Sequence, residues 1–102
     1  MPNRLKLLPD YECYALWDVD SLDNLDSRNL SISDELKEKI SKWEDLYDST
    51  LNKHDPSQSG FSNLDEEKEF DLEGRDIWEK LKLELGVEYE ISYFSVVENK
   101  LV

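Results

Sequence analysis

The sequence predicts an α+β fold, in which a small antiparallel or mixed sheet of about three strands carries two amphipathic helices on one face. Two segments with apolar residues on one helical side flank a link that contains Pro, Ser and Gly. Segments near both ends of the chain alternate in the manner of strands. The predicted order is β-β-α-α-β, within a single domain over residues 1–102, because a chain of this length buries one modest core.

The first two strands are expected close to the N-terminus. Residues 4–8 are typical of a short strand that ends at the turn-forming pair Pro9-Asp10. Residues 11–17 then alternate between two faces, both partly apolar. We therefore expect a second strand over these residues, covered by a helix.

The first helix is expected to begin at a cap formed by Ser31 or Ser33. Its apolar side chains recur at spacings of four, three, four and four residues, which is the period of one helical face. These side chains are Leu36, Ile40, Trp43, Tyr47 and Leu51. Two i,i+4 ion pairs are expected on the outer face, namely Glu35 with Lys39 and Glu38 with Lys42.

The second helix is expected to begin at Asn63, which has a Glu three residues later, and to end at Gly86. Gly74 lies inside this helix, where it costs about 1 kcal/mol relative to Ala. Its presence indicates a close approach to the sheet or to the first helix, and a kink at a binding site is the functional alternative. Residues 87–97 alternate and predict the third strand, and residues 98–102 are expected to fray.

The net charge of −13 disfavours binding to nucleic acid or to an anionic membrane and favours a basic protein partner. The simpler interpretation is that the charge only keeps a small protein soluble. The sequence lacks an apolar segment long enough for a membrane span or a signal peptide. A single cysteine, Cys13, makes no internal disulfide, so we expect a reduced, cytoplasmic protein.

The residue types predict no catalytic site, no metal and no cofactor. A nucleophile needs a neighbouring base, and the one histidine, His54, carries no signature that pairs it with Cys13, although the sequence leaves that pair open. A Ca²⁺ loop needs oxygen ligands at alternating positions. Asp18 and Asp20 fit that pattern, but Leu22 fills the next ligand position and no Gly follows. We therefore predict neither an enzyme nor a metal protein.

A spaced pattern of aromatic, small and acidic residues extends over residues 43–85: W-x-x-x-Y-x-x-T-L-N, D-P-x-x-S-G-F, E-x-x-F-x-x-E-G and L-x-x-E-L. It comprises Trp43, Tyr47, Thr50, Leu51, Asn52, Asp55, Pro56, Ser59, Gly60, Phe61, Glu67, Phe70, Glu73, Gly74, Leu81, Glu84 and Leu85. This pattern resembles small bacterial immunity proteins of contact-dependent growth inhibition and related polymorphic toxin systems (CdiI-like proteins). The resemblance implies a stoichiometric inhibitor that binds a cognate toxin C-terminal domain, commonly a nuclease.

The candidate interface consists of carboxylates that helix stability does not explain, since the pattern residues themselves are typical of packing. The first group lies in an Asp-rich loop, and the second lies near the end of the first helix, where like charges are unfavourable. The partner-binding candidates are Asp18, Asp20, Asp23 and Asp26, then Glu44, Asp45 and Asp48, with His54 and Asp55 as weaker ones. The alternative function is an acidic nucleic-acid mimic or regulatory adaptor that binds another basic protein.

Overall fold

The computed structural model describes residues 3–51, 54–55, 60–61 and 63–102, and its architecture is α+β as predicted. The helices are α1 (Asp34–Asp48) and α2 (Leu64–Leu85). The strands are β1 (Asn3–Leu7), β2 (Leu16–Asp18), β3 (Asn24–Leu25), β4 (Tyr89–Ser95) and β5 (Lys100–Leu101). They form a mixed sheet in the order β3-β2-β1-β4-β5, so the sheet has five strands where the sequence predicted about three.

The centre of the sheet is the pair β1 and β4, which run parallel, whereas the other neighbouring strands run antiparallel. Leu5 and Leu7 lie beside Ile91 and Tyr93 in this pair, and all four side chains are buried. Both helices lie on this face, because the rings of Trp43 in α1 and Trp78 in α2 each contact the Tyr93 ring. The other face carries half-buried or exposed side chains, among them Arg4, Lys6, Trp17, Ser92 and Phe94.

The two helices run antiparallel, since the start of α1 contacts the end of α2. Ser33 caps α1, and its own backbone N–H and hydroxyl donate to the Glu84 carboxylate at 2.5 and 2.9 Å. Further along, the Trp43 and Phe70 rings stack at 4.4 Å, and the Trp43 indole donates to the Phe70 carbonyl at 3.0 Å. These contacts fix the helix pair at both ends of its core.

Most of the polar contacts predicted at the helix ends and on the helix surfaces are present in the structure. Asn63 caps α2 by accepting the Glu66 backbone N–H at 2.9 Å, and Gly86 follows the helix with a φ of 71°. The predicted pair of Lys42 with Glu38 forms at 3.1 Å. Lys39, however, does not pair with Glu35 of its own helix. Its ammonium lies 2.9 Å from both Glu73 and Asp76, because the packing of α2 brings two carboxylates within its reach.

The second strand is shorter than predicted, since residues 11–15 form turns and bends in place of a strand. Glu12 takes a positive φ of 59°, which breaks the extended backbone. The backbone N–H groups of Glu12 and Ala15 donate to carboxylates of α1, at Asp48 and Glu44. Contacts with a helix thus replace the ladder bonds that a longer strand would make.

The C-terminal residues also differ from the prediction. Val87 lies in a short 3-10 turn (Gly86–Glu88) and is 96% exposed, so the strand begins only at Tyr89. Residues 100–101 do not fray. They form β5, which pairs with the end of β4, and the Val102 N–H donates to the Tyr93 carbonyl at 2.8 Å.

A buried carboxylate links α2 to β4. Asp71 is 5% exposed, and it accepts hydrogen bonds from the hydroxyls of Tyr93 and Ser95, both at 2.8 Å. The Arg75 guanidinium donates to the same carboxylate at 2.9 Å and also to Glu98 at 2.7 Å. The helix, the strand and the turn after the strand are therefore held by one network.

Candidate functional site

Three of the predicted loop carboxylates hold the loop itself. Asp18 accepts the backbone N–H groups of Asp20 and Ser21 at 2.9 and 3.1 Å. Asp20 forms an ion pair with Arg4, and Asp23 accepts the Ser21 hydroxyl at 3.0 Å. These bonds explain the clustering of Asp in this loop by local structure. Contact of Asp18, Asp20 and Asp23 with a partner stays a prediction.

The fourth loop carboxylate, Asp26, lies apart from the other three. Asp26 caps a 3-10 turn (Ser27–Asn29) by accepting the Arg28 backbone N–H, and the Arg28 guanidinium donates to it at 2.7 and 3.0 Å. The hydrogen bonds from Arg28 lower the pKa of Asp26 to about 2. Asp26 is therefore ionised and already paired with a cation.

A cleft of about 420 Å³ brings Asp26 together with the second predicted group, and we refer to it as the acidic cleft. Its described lining includes five carboxylates and the guanidinium of Arg28. The carboxylates belong to Glu12, Asp26, Glu44, Asp45 and Asp48. The fold thus places Asp26 beside the α1 carboxylates, which are about twenty positions away in the sequence. The sequence did not indicate that the two groups would meet.

Two of the three α1 carboxylates have a structural role. Glu44 accepts the Ala15 N–H at 2.6 Å, and Asp48 accepts the Glu12 N–H at 2.9 Å. Asp45 is exposed, and its carboxylate makes no hydrogen bond or ion pair with any residue that the structure describes. Among the three α1 carboxylates, Asp45 is therefore the one that folding explains least.

The carboxylates of the acidic cleft repel one another. Partial burial raises the pKa of Glu44, and the nearby carboxylates of Asp26, Asp45 and Asp48 raise it further, against the opposing hydrogen bond from Ala15. The last turn of α1 contains no basic residue, so these carboxylates also meet the negative end of the helix dipole. A lysine or arginine side chain from outside would relieve this repulsion.

The lining includes residues that the sequence did not single out for binding. Cys13, Tyr14 and Asn24 line the cleft beside Glu12 and Arg28. The turn at residues 11–15 brings three of them there, and an alternating pattern gave no sign of that turn. One local feature of the sequence indicates an ion pair at the cleft, because the oppositely charged residues Asp26 and Arg28 are only two positions apart.

The Cys13–His54 pair that the sequence left open is not assembled. Cys13 lines the acidic cleft, whereas His54 lines a different groove, between the two helices. Partial burial raises the pKa of the Cys13 thiol, and carboxylates including Asp10 and Asp48 raise it further. These effects disfavour the reactive thiolate. Among the described residues, no group of three or more His, Cys, Asp or Glu side chains could hold a metal ion.

Comparison with known proteins identifies the family. In the part of the chain that the structure describes, neither α1 nor α2 is apolar enough over a sufficient length to cross a membrane. No curated protein matches the chain. One family profile does match it, with the description Serratia CdiI immunity protein-like, over residues 3–96. Since this match includes both helices and most of the sheet, the chain belongs to the Serratia CdiI immunity protein-like family.

Proposed function

We propose that this immunity protein neutralises a cognate toxin C-terminal domain, a basic nuclease, by binding it one to one in the cytoplasm. The acidic cleft receives lysine or arginine side chains of that domain. A nuclease binds phosphates with basic residues. A protein with a net charge of −13 can bind those basic residues in place of the phosphates. Inhibition then needs no reaction by this chain.

One observation carries the choice of the acidic cleft. Asp45 and its neighbours Glu44 and Asp48 lie in the last turns of α1, where the helix dipole and their mutual repulsion both oppose them. Hydrogen bonds to backbone N–H groups offset part of this cost for Glu44 and Asp48, and nothing described offsets it for Asp45. A lysine or arginine side chain of the partner would stabilise the Asp45 carboxylate.

The first test is neutralisation of the toxin domain encoded immediately upstream of this gene. Cells that express the toxin domain should grow when this protein is co-expressed, and the two chains should purify as a one-to-one complex. A toxin domain that kills cells equally with and without this protein would rule out the proposed function for that pair.

The second test concerns the acidic cleft. Asp45→Lys should slow association with the toxin domain by about tenfold or more, because it reverses a charge that faces the partner. Glu88→Lys is the matched control, since Glu88 is exposed outside the cleft and the change in net charge is the same. Equal association rates for the two variants, measured by stopped-flow or surface plasmon resonance, would remove the cleft from the interface.

A further inference from the structure

A second surface lies on the other flank of α1. The C-terminal half of α1 and the N-terminal half of α2 enclose a groove of about 1040 Å³, which we call the helix groove. Trp43 and Phe70 lie at its base, and Phe61 extends this apolar surface, with its ring 4.9 Å from that of Phe70. Asp45 faces the acidic cleft and the next residue, Leu46, faces the helix groove, so α1 separates the two surfaces.

The wall of the helix groove exposes apolar surface that the core does not use. Leu46 is 48% exposed although Trp43, one turn earlier in α1, is only 1% exposed. Leu51 and Phe61 are half-buried in the same wall. The volume of about 1040 Å³ lies at the upper end of the range for small-molecule sites, which is roughly 300–1,000 Å³. The helix groove is thus large enough for the side chains of a protein segment.

The two rims of the helix groove differ in charge. The α2 rim presents three carboxylates on one side of the helix, at Glu66, Glu69 and Glu73. Lys39 pairs with Glu73 at 2.9 Å, whereas Glu69 makes no ion pair or side-chain hydrogen bond with the described part of the chain. Lys42 on the α1 rim is occupied by Glu38. The α2 rim therefore keeps negative charge beside an apolar floor.

We propose that the helix groove docks an amphipathic helix of the toxin domain, whose apolar side chains contact Leu46 and whose lysine or arginine side chains face Glu69. This inference rests on the proposed function and adds a second contact surface to it. A helix with apolar residues at i, i+3, i+4 and i+7 fits a groove between two helices. The acidic rim selects a basic flank on that helix and disfavours an acidic peptide or an anionic lipid.

The position of α1 supports a single partner for both surfaces. The exposed side of its C-terminal half carries Asp45 and Leu46, which are adjacent in sequence and face the acidic cleft and the helix groove respectively. A toxin domain seated on this side of α1 therefore contacts carboxylates on one flank and apolar side chains on the other. Such a combination of apolar core and charged surround is typical of protein interfaces.

The experiment measures the affinity of four single variants for the toxin domain encoded immediately upstream. Leu46→Arg and Glu69→Lys alter the helix groove. Leu72→Arg and Glu88→Lys are the matched controls, because Leu72 is 66% exposed on α2 and neither residue lines the helix groove. We expect the Kd to rise about tenfold or more for both groove variants and to stay within about twofold of the unaltered protein for both controls.

The outcomes separate this inference from the proposed function. If the unaltered protein does not bind the toxin domain, the proposed function is overturned and this inference with it. If binding occurs and the groove variants match their controls, only the helix-groove inference is overturned. Glu69→Lys keeps the test valid should Leu46→Arg fail to fold, because Glu69 is exposed and unpaired within the described residues.

A second copy of this chain is the competing occupant. Size-exclusion chromatography with light scattering on the free protein distinguishes it. A dimer that Leu46→Arg dissociates, with toxin binding unchanged, would assign the helix groove to self-association and overturn the inference. Slower hydrogen exchange over residues 64–73 of α2, which do not line the acidic cleft, and not over residues 3–7, is the expected supporting result in the toxin complex.

Discussion

At the scale of single residues, Gly74 determines how closely α1, α2 and β4 pack. A Cβ at this position would lie 2.5 Å from the Tyr93 hydroxyl oxygen and 2.6 Å from Cζ2 of Trp43. Both rings are buried, at 0 and 1% exposure, so neither side chain can move into solvent. The mid-helix glycine is thus explained by a close approach to both the sheet and the first helix, and the binding-site kink is not needed.

Gly74→Ala should therefore destabilise the protein although Ala favours helix formation. Overpacking of a buried site costs about 1–3 kcal/mol, and the better helix propensity of Ala returns about 1 kcal/mol, so we expect a net loss of up to about 2 kcal/mol. Urea unfolding followed by circular dichroism measures it. Leu72→Ala, at an exposed position of the same helix, is the control. An equal or higher free energy of unfolding for Gly74→Ala would mean that the helices separate easily.

At the scale of elements, the Asp71 network joins α2 to β4 and couples stability to pH. Burial alone would raise the pKa of Asp71, but hydrogen bonds from Arg75, Tyr93 and Ser95 outweigh it and hold the pKa below its ordinary value of 3.8. The folded state therefore favours the ionised carboxylate. Its stabilisation is complete above the unfolded-state pKa and is lost as the pH falls through the lower folded-state pKa.

Asp71→Asn should lower the free energy of unfolding at pH 7 by about 1–3 kcal/mol, since it weakens three hydrogen bonds to a charged acceptor. The deficit should shrink as the pH falls below 3.8 towards the lowered folded-state pKa, because the unaltered Asp71 also becomes protonated there. Urea unfolding at pH 7 and at a pH below 3.8 gives the comparison, with Glu79→Gln on the exposed side of α2 as the control. A deficit that is the same at both pH values would show that the charge of Asp71 contributes nothing.

The elements that the sequence predicted are those whose determinants are local. The helix period, the Asn63 cap and Gly86 after α2 depend on neighbours within a few residues and were confirmed, and of the two predicted caps of α1, Ser33 is the one that forms. Leu51, predicted as the last residue of the first apolar face, lies beyond the end of α1 at Asp48. The missed strands, β3 and β5, have two residues each, which is too short for a period to be visible. The turn at residues 11–15 depends on acceptors in α1 about thirty residues away, so no local pattern could indicate it.

The candidate site was harder to predict than the fold. The sequence distinguished two acidic groups, but only three-dimensional contacts show that Asp26 lines the same cleft as Glu44, Asp45 and Asp48, and that the rest of the loop group does not. The family itself was predicted from residues 43–85, and the profile match over residues 3–96 extends it to the N-terminal strands. The helix groove left no sign in the sequence, because Leu46 falls outside the apolar face used for the core.

At the scale of the whole molecule, the net charge of −13 should control how fast the toxin domain is captured. A long-range field raises the association rate by about 10- to 1,000-fold when the partner is basic, and salt screens it. The Debye length shortens from about 30 Å at 0.01 M salt to about 8 Å at 0.15 M. We therefore expect the association rate to fall about tenfold or more over this range, and the dissociation rate, which reflects short-range contacts, to change much less.

Stopped-flow association at several salt concentrations tests this prediction, and it also separates the two candidate functions. A rate independent of salt would mean that the toxin domain is not basic where it binds, which argues against a nuclease that holds phosphates in a cationic cleft. An unrelated basic nuclease provides the comparison. A nucleic-acid mimic should bind both nucleases with similar lifetimes, because charge alone selects its partners. An immunity protein should associate quickly with either, yet form a long-lived complex only with its own toxin domain, because specific packing at the proposed interface would govern dissociation.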